Sequence, residues 1–357
     1  GHMLGYTDGQ VLGEGVSVKL LPNVYPMGDE INLIYETTGR VVKPGCLPIT
    51  SGIIVFNGET VYNVWRAYNM NRPVVSDWFT IGGDLPKRYV VKTPIGTRLK
   101  DVFDMLGVKF NPETHSLING GPSMGKIINP NIAVVQKNTK GLLILPELIP
   151  AVAGKQGDLK TQISRASSMC CQCTRCTDLC PRNLMGYPIY PHKMVRTATK
   201  MAEMTPDMIL SATLCCSCGV CETAACCQNI SPRNVIAEFK NILAKNRMKY
   251  VGNEDVVADE YRDSRLIPIS RWKSQLGVKK YDREGVLVAP ITKAGAVEIG
   301  LNWHIGAPSA LAVKVGDTVK AGDKIADAGA GLSIPAYASI DGKVTYADDK
   351  KVVIERV

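Results

Sequence analysis

Cys170-Cys171-Gln172-Cys173-Thr174-Arg175-Cys176-Thr177-Asp178-Leu179-Cys180-Pro181 is the stretch on which the reading of this chain turns. Three cysteines at x2 spacing put three thiolates on one tight loop, and a fourth, three residues further on, projects the other way. A second run follows at Cys215-x2-Cys218-x2-Cys221-x4-Cys226, with Cys227 where the first run has its proline. Of the twelve cysteines in the chain, all but Cys46 fall between Cys170 and Cys227. Such crowding rarely serves packing. Disulfides fit poorly, because x2 triplets are badly placed to pair with one another and no secretion signal is present.

The first run has the C-x2-C-x2-C-x3-C-P spacing of bacterial ferredoxins, in which the fourth cysteine of a two-cluster protein ligates the other cluster. The pattern predicts two iron-sulfur clusters of the 4Fe-4S kind with exchanged fourth ligands. Cys170, Cys173, Cys176 and Cys226 would hold one; Cys215, Cys218, Cys221 and Cys180 would hold the other. Cys171, Cys216 and Cys227 are spare by spacing, and Cys227 is the alternative to Cys226. Zinc, which prefers separated Cys-x2-Cys knuckles, is the competing reading: a non-catalytic structural protein with two four-cysteine sites, distinguishable by colour.

The surroundings of both runs read as helical. Thr205-Pro206 pairs a capping residue with proline at the first helical position, and Ser231-Pro232 repeats the device. Val235, Phe239, Ile242 and Leu243 then recur at helical spacing, so an all-helical ferredoxin domain is expected. Upstream, Tyr89-Val90-Val91 reads as a strand, followed by an amphipathic helix with Leu99, Val102, Phe103 and Leu106. The loop Gly120-Gly121-Pro122-Ser123-Met124-Gly125 reads either as a turn or as backbone open to close approach by a ligand. Downstream, turns at Val315-Gly316-Asp317, Ala321-Gly322-Asp323 and Ile340-Asp341-Gly342 separate short β-rich runs, the pattern of a small sandwich. No lysine lies between Lys324 and Lys343 to carry a swinging arm, which favours a packing or docking role.

With 357 residues and 45% hydrophobic composition, the chain can bury several cores, and a multidomain α+β protein is expected. The net charge of +9 is scattered and lacks the dense basic runs of a nucleic-acid arm. The most apolar stretch, Gly141 to Gly154, is broken by Glu147 and two prolines, short of the roughly 20 apolar residues that span a bilayer. Gly1-His2-Met3 reads as a tag-cleavage scar. His115, His192 and His304 are far apart and read as structural.

Beyond the clusters, the order of parts resembles a known family. Tyr25-Pro26-Met27-Gly28-Asp29-Glu30, with Thr38-Gly39-Arg40 and Gly45-Cys46-Leu47-Pro48, resembles the second half of the flavin-binding domain in the NADH-oxidising subunit of respiratory complex I, a domain also present in one subunit of the Rnf complex. Lys87 onward, with Gly120 to Gly125, resembles the β-grasp domain of the same families. In the Rnf subunit the segment similar to His304-Ile305-Gly306-Ala307-Pro308 precedes the flavin domain; here it follows the clusters. That order, with Cys180-Pro181-Arg182-Asn183-Leu184-Met185-Gly186 and Pro191-His192-Lys193-Met194, resembles the cobalamin reductases of propanediol-utilisation microcompartments.

The resemblance implies four parts: residues 4–85 as the C-terminal part of an FMN/NADH-binding α/β domain, 86–160 as β-grasp, 161–250 as the helical two-cluster domain, and 251–357 as a linker and barrel-sandwich domain related to biotinyl and lipoyl carriers. It implies Gly28, Glu30, Asn57, Glu59 and Thr60 on the flavin side, with the family's glycine-rich phosphate loop expected before residue 4. The activity implied is electron transfer from NADH through FMN and two 4Fe-4S clusters to cobalamin, reactivating the cofactor of a diol dehydratase. Partners implied are a microcompartment shell protein, an adenosyltransferase or the dehydratase, in or near a microcompartment of the bacterial cytoplasm. An Rnf-like subunit serving a membrane electron-transport complex is the alternative.

Overall fold

The computed structural model describes residues 6–200, 205–252, 254–288, 290–291 and 294–357; Gly1-His2-Met3 lies outside them. The chain is α+β and divides into two compact units, one made of residues up to Val55 together with Gln156–Lys279, the other of Phe56–Lys155 with Lys280–Val357. Each unit is thus built from two stretches of chain. The sequence segment 4–85 contributes to both.

The first unit is mainly helical. Its longest helix, Pro232–Lys245, begins with the Ser231 side chain accepting from the Asn234 N–H and proline at the first turn. Such a cap stabilises a helix by about 1 kcal/mol. Val235, Ile236 and Leu243 are buried and Phe239 is partly buried, but Ile242, at the rim of the apolar face near the helix end, is exposed. The helix packs against Pro191–Ala198 and Leu159–Met169. Thr205 caps Pro206–Leu210 by accepting from the Met208 N–H. The core joins Ile31, Ile34, Val42, Met185, Tyr187, Ile189, Ile236 and Leu243, and it includes Cys180. A short antiparallel pair, Val24–Tyr25 with Ile267–Pro268, ties the start of the unit to its end.

The second unit holds a six-stranded mixed sheet and a sandwich. Sheet order is Gly285–Leu287, Arg88–Pro94, Ser76–Gly83, Gly141–Pro146, His115–Asn119, Lys126–Ile128. Ser76–Gly83 pairs antiparallel with Arg88–Pro94 and parallel with Gly141–Pro146. The sheet therefore starts ten residues before the expected 86 boundary and borrows an edge strand from beyond 280. Helix Leu99–Leu106 buries Leu99, Val102 and Phe103 on this sheet's core with Phe79, Ile81, Leu117 and Leu142.

The glycine-rich loop closes the hairpin from His115–Asn119 to Lys126–Ile128. A side chain at Gly125 would stand 2.6 Å from the Gly121 carbonyl, so here the glycines let the chain approach itself. The sandwich pairs a four-stranded sheet (Ala296–Gly300, Lys351–Glu355, Gly342–Ala347, Thr318–Val319) with a three-stranded one (Ala310–Leu311, Lys324–Asp327, Ala336–Tyr337). Val297, Ile299, Ile325, Val344, Val352 and Ile354 fill its core. Asp317 and Asp323 fix the expected turns by accepting from the N–H groups of Lys314 and Lys320, each at 2.8 Å.

Candidate functional site

The two cysteine runs share one backbone design. Each begins where a helix ends in extended conformation, at Cys170 after Leu159–Met169 and at Cys215 after Ser211–Leu214. In the first run Gln172 and Thr174 take left-handed φ values of 54° and 60°; in the second, Ser217 and Gly219 take 58° and 82°. These are matching positions, two and four residues after the first cysteine. Left-handed residues alternating with residues of negative φ can turn successive N–H groups to one side, a concavity suited to anions and to iron-sulfur groups. The Ser217 N–H points in this way at Cys215 Sγ, 3.3 Å away. A one-turn helix then follows each loop, Arg175–Asp178 and Val220–Thr223.

Each loop closes over a cavity. The first has about 430 Å³ of empty space, partly open to solvent, and its lining includes Cys170, Cys171, Cys173, Cys176, Cys226 and Cys227. The second, of about 320 Å³, is lined by Cys180, Cys215, Cys216, Cys218 and Cys221. The fourth cysteine of each run therefore sits with the triplet of the other. His192 also lines the first cavity, held by Thr177, whose Oγ1 is 2.6 Å from His192 Nδ1. Among the described residues no three His, Cys, Asp or Glu side chains converge closely enough to hold one metal ion. The thiols stand around the walls of the two cavities.

The electrostatics of the thiols agree with that donor role. Burial pushes Cys176 up to about 12, and the like charges of Cys226, Cys170 and Cys173 add to it. Burial likewise pushes Cys180 up to about 12 and Cys221 well above the ordinary thiol range. Cys218 is raised by its hydrogen bond with Cys216 and by burial, whereas Cys216 is drawn down to about 7 by that same bond. Thiols crowded in this way ionise together only around a cation, and a metal supplies it by deprotonating the thiol it binds.

Residues outside the cysteine runs complete the second site. Tyr25 stacks on Trp272, ring centroids 4.3 Å apart, and its hydroxyl donates to the Cys218 carbonyl at 2.7 Å. Asp29 caps helix Glu30–Thr38 and pairs with Arg182, whose Nη2 donates to Asp29 Oδ1 at 2.9 Å. Arg182 lines the second cavity. Sequence reasoning passed over Tyr25, Asp29 and Arg182 as functional residues. The signals available were their places inside the motifs that carry the family resemblance and, for Arg182, its position two residues past a ligand-type cysteine.

The residues expected on the flavin side fall in two places. Gly28 and Glu30 are exposed in the first unit beside Asp29, with open space over the Gly28 Cα. Asn57, Glu59 and Thr60 open helix Gly58–Met70 in the second unit, where Asn57 caps by accepting from the Glu59 N–H. Lys140 bridges Glu59, at 2.8 Å, and the buried Asp77. Burial raises the Asp77 carboxyl to about 7 against the pull of Lys140. Exposed acceptors beside an unobstructed glycine are chemically compatible with a polar, flat cofactor, and the two groups lie on separate compact units.

Comparison with known proteins bears on the whole chain. Residues 6–66 match the Nuo51 FMN-binding domain, 169–231 a 4Fe-4S dicluster domain, and 277–355 the RnfC barrel sandwich hybrid domain. One subunit of the Na(+)-translocating ferredoxin:NAD(+) oxidoreductase complex of Acetobacterium woodii is 30% identical over 47% of the chain and 35% of its own length. The cobalamin reductase PduS of Citrobacter freundii is 35% identical, and that of Salmonella typhimurium 37% identical, each over 97% of this chain and 76% of its own length. The order of flavin domain, dicluster domain and sandwich along the chain, matched over nearly its full length, shows that it belongs to the family of the cobalamin reductase PduS.

Proposed function

We propose that the protein is an oxidoreductase that passes electrons from NADH through FMN and two 4Fe-4S clusters to cobalamin, reactivating the cofactor of a diol dehydratase. The observation that carries this reading is the gathering of the two cysteine runs into two cavities with exchanged fourth cysteines. Cys170, Cys173, Cys176 and Cys226 would hold one cluster and Cys215, Cys218, Cys221 and Cys180 the other. Cys226 is preferred to Cys227 because it is half-buried beside Cys170 and acts on Cys176, while Cys227 is exposed. FMN converts the two electrons of a hydride into single ones and clusters carry single electrons, which matches a cobalt that accepts one at a time.

The chain's own residues supply positioning. The Tyr25 and Asp29 contacts tie the segment carrying Gly28 and Glu30 to the loop and wall of the second cavity, so that site is proposed to face the flavin. The first cavity, with exposed Cys171, Cys173 and Cys227, is proposed to face the acceptor. Among the described residues no helix is long and apolar enough to cross a membrane. The Rnf-like alternative is not favoured, because that likeness covers about half the chain. Residence in a microcompartment, with contacts to its shell, an adenosyltransferase or the dehydratase, belongs to the same proposal.

The test is anaerobic purification with iron and acid-labile sulfide analysis, then NADH-dependent cobalamin reduction with added FMN. About eight irons and eight sulfides per chain are expected. Loaded protein that fails to reduce cobalamin with NADH, while a chemical reductant still reduces its clusters, sinks the activity but leaves the clusters standing.

A further inference from the structure

We propose that the Arg182 guanidinium raises the reduction potential of the cluster held by Cys180, Cys215, Cys218 and Cys221, and that Asp29 moderates its charge. The inference rests on reading that cavity as a cluster site. Arg182 lines the cavity, and its side chain is 12% exposed; that of Asp29 is 9% exposed. One guanidinium nitrogen, Nη2, is satisfied by Asp29 at 2.9 Å. Nε and Nη1 are shielded from solvent and meet no hydrogen-bond partner among the described residues.

Buried donors on a permanently charged group rarely go unpaired, because each such group forfeits its hydration for nothing. Here the donors belong to a residue on the wall of a cavity whose other walls are thiols. The sulfur atoms of a bound cluster are the acceptors they lack. Donors and positive charge beside a cluster favour its reduced, more negative form, since net charge and hydrogen bonds to sulfur set such potentials. Tyr187, whose ring lies 5.7 Å from Arg182 Cζ, and Asp29 hold the guanidinium in place. Arg233, the second guanidinium on this lining, is engaged by Glu222. Among the described residues lining the first cavity there is no Lys or Arg.

The geometry gives Arg182 and Asp29 opposite signs, which separates tuning from mere support. In anaerobically prepared full chain, EPR-monitored redox titration of R182Q should show one of two cluster signals shifted to lower potential. R182K should recover part of the shift. D29N keeps a residue equally able to cap the Glu30 helix but frees the guanidinium charge, and should shift the same signal upward. The other cluster should not move.

Shifts of the same sign in R182Q and D29N, or no shift in either, would overturn the proposal and leave a structural ion pair. If R182Q does not retain the cluster, R182K and D29N decide, because an upward shift in D29N is required. Wild-type protein without iron would instead remove the cluster reading itself, and iron and sulfide analysis of each sample tells the two failures apart.

Discussion

The first cysteine cavity opens to water: Cys171, Cys173 and Cys227 are exposed, Cys170, Cys176 and Cys226 are half-buried, and its polar lining is Gln172, Thr174, His192 and Gln228. The second is less open: Cys180, Cys218 and Cys221 are buried, Cys215 and Cys216 are half-buried, and Arg182 and Arg233 reach its wall. Both are built on the same x2 cysteine triplet and the same pattern of left-handed residues. The difference teaches that the local chain specifies the ability to hold a group, while the surrounding fold specifies how that group behaves. Exposure, charge and hydrogen bonding at a cluster set its potential and its lability.

The sharpest way to break this comparison is Cys180→Ser, which alters the second cavity from within the first run. If the fourth cysteines are exchanged, about half of the iron is lost and the signal that remains is that of the exposed site. Loss of the exposed-site signal instead would mean that each run serves its own cavity. Next in size is the response to a chelator or to brief oxygen exposure. The first cavity, with its exposed thiols, should release its iron several-fold faster than the second, read as stepwise bleaching with the signal of the second site lost last. Equal rates would say that the solvent accessibility of the thiols does not govern release.

Cys226→Ser and Cys227→Ser sharpen the first site. The former is expected to lower its cluster occupancy strongly and the latter to leave iron content close to wild type; the reverse result would move the fourth ligand to Cys227. The smallest effect concerns the backbone. Thr174 holds a left-handed conformation where the second run has Gly219, and a residue with a Cβ there costs about 1 kcal/mol. Thr174→Gly should therefore change stability by less than about 1 kcal/mol, since the relief of strain is offset by the entropy of glycine, whereas Gly219→Ala should destabilise by about 1 kcal/mol or more. Urea denaturation of the two variants, loaded and unloaded, measures both.

Much of the fold was legible. The Thr205 and Ser231 caps stand where the sequence put them, as do the helix Leu99–Leu106 and the turns at Asp317 and Asp323. All of these are written within a few neighbouring residues. Less legible were the strand Ser76–Gly83, which lies inside the six-stranded sheet, and the edge strand Gly285–Leu287, almost two hundred residues from its partner Arg88–Pro94. A three-residue edge strand carries no periodicity long enough to read, and only pairing defines it. Ile242 fits the apolar spacing of its helix but lies at the rim of the face, where the number of neighbours is decided by other elements.

The sequence by itself determined the chemistry of the cysteine runs, because ligand spacing and turn-forming capacity are properties of a short stretch of backbone. It also determined the order of parts along the chain. Only the tertiary structure decided how deeply the second set of thiols is buried, and that Tyr25 and Asp29 reach their cavity. Those contacts join residues more than 150 positions apart, and a buried hydrogen bond or ion pair over that distance depends on packing that no local pattern encodes.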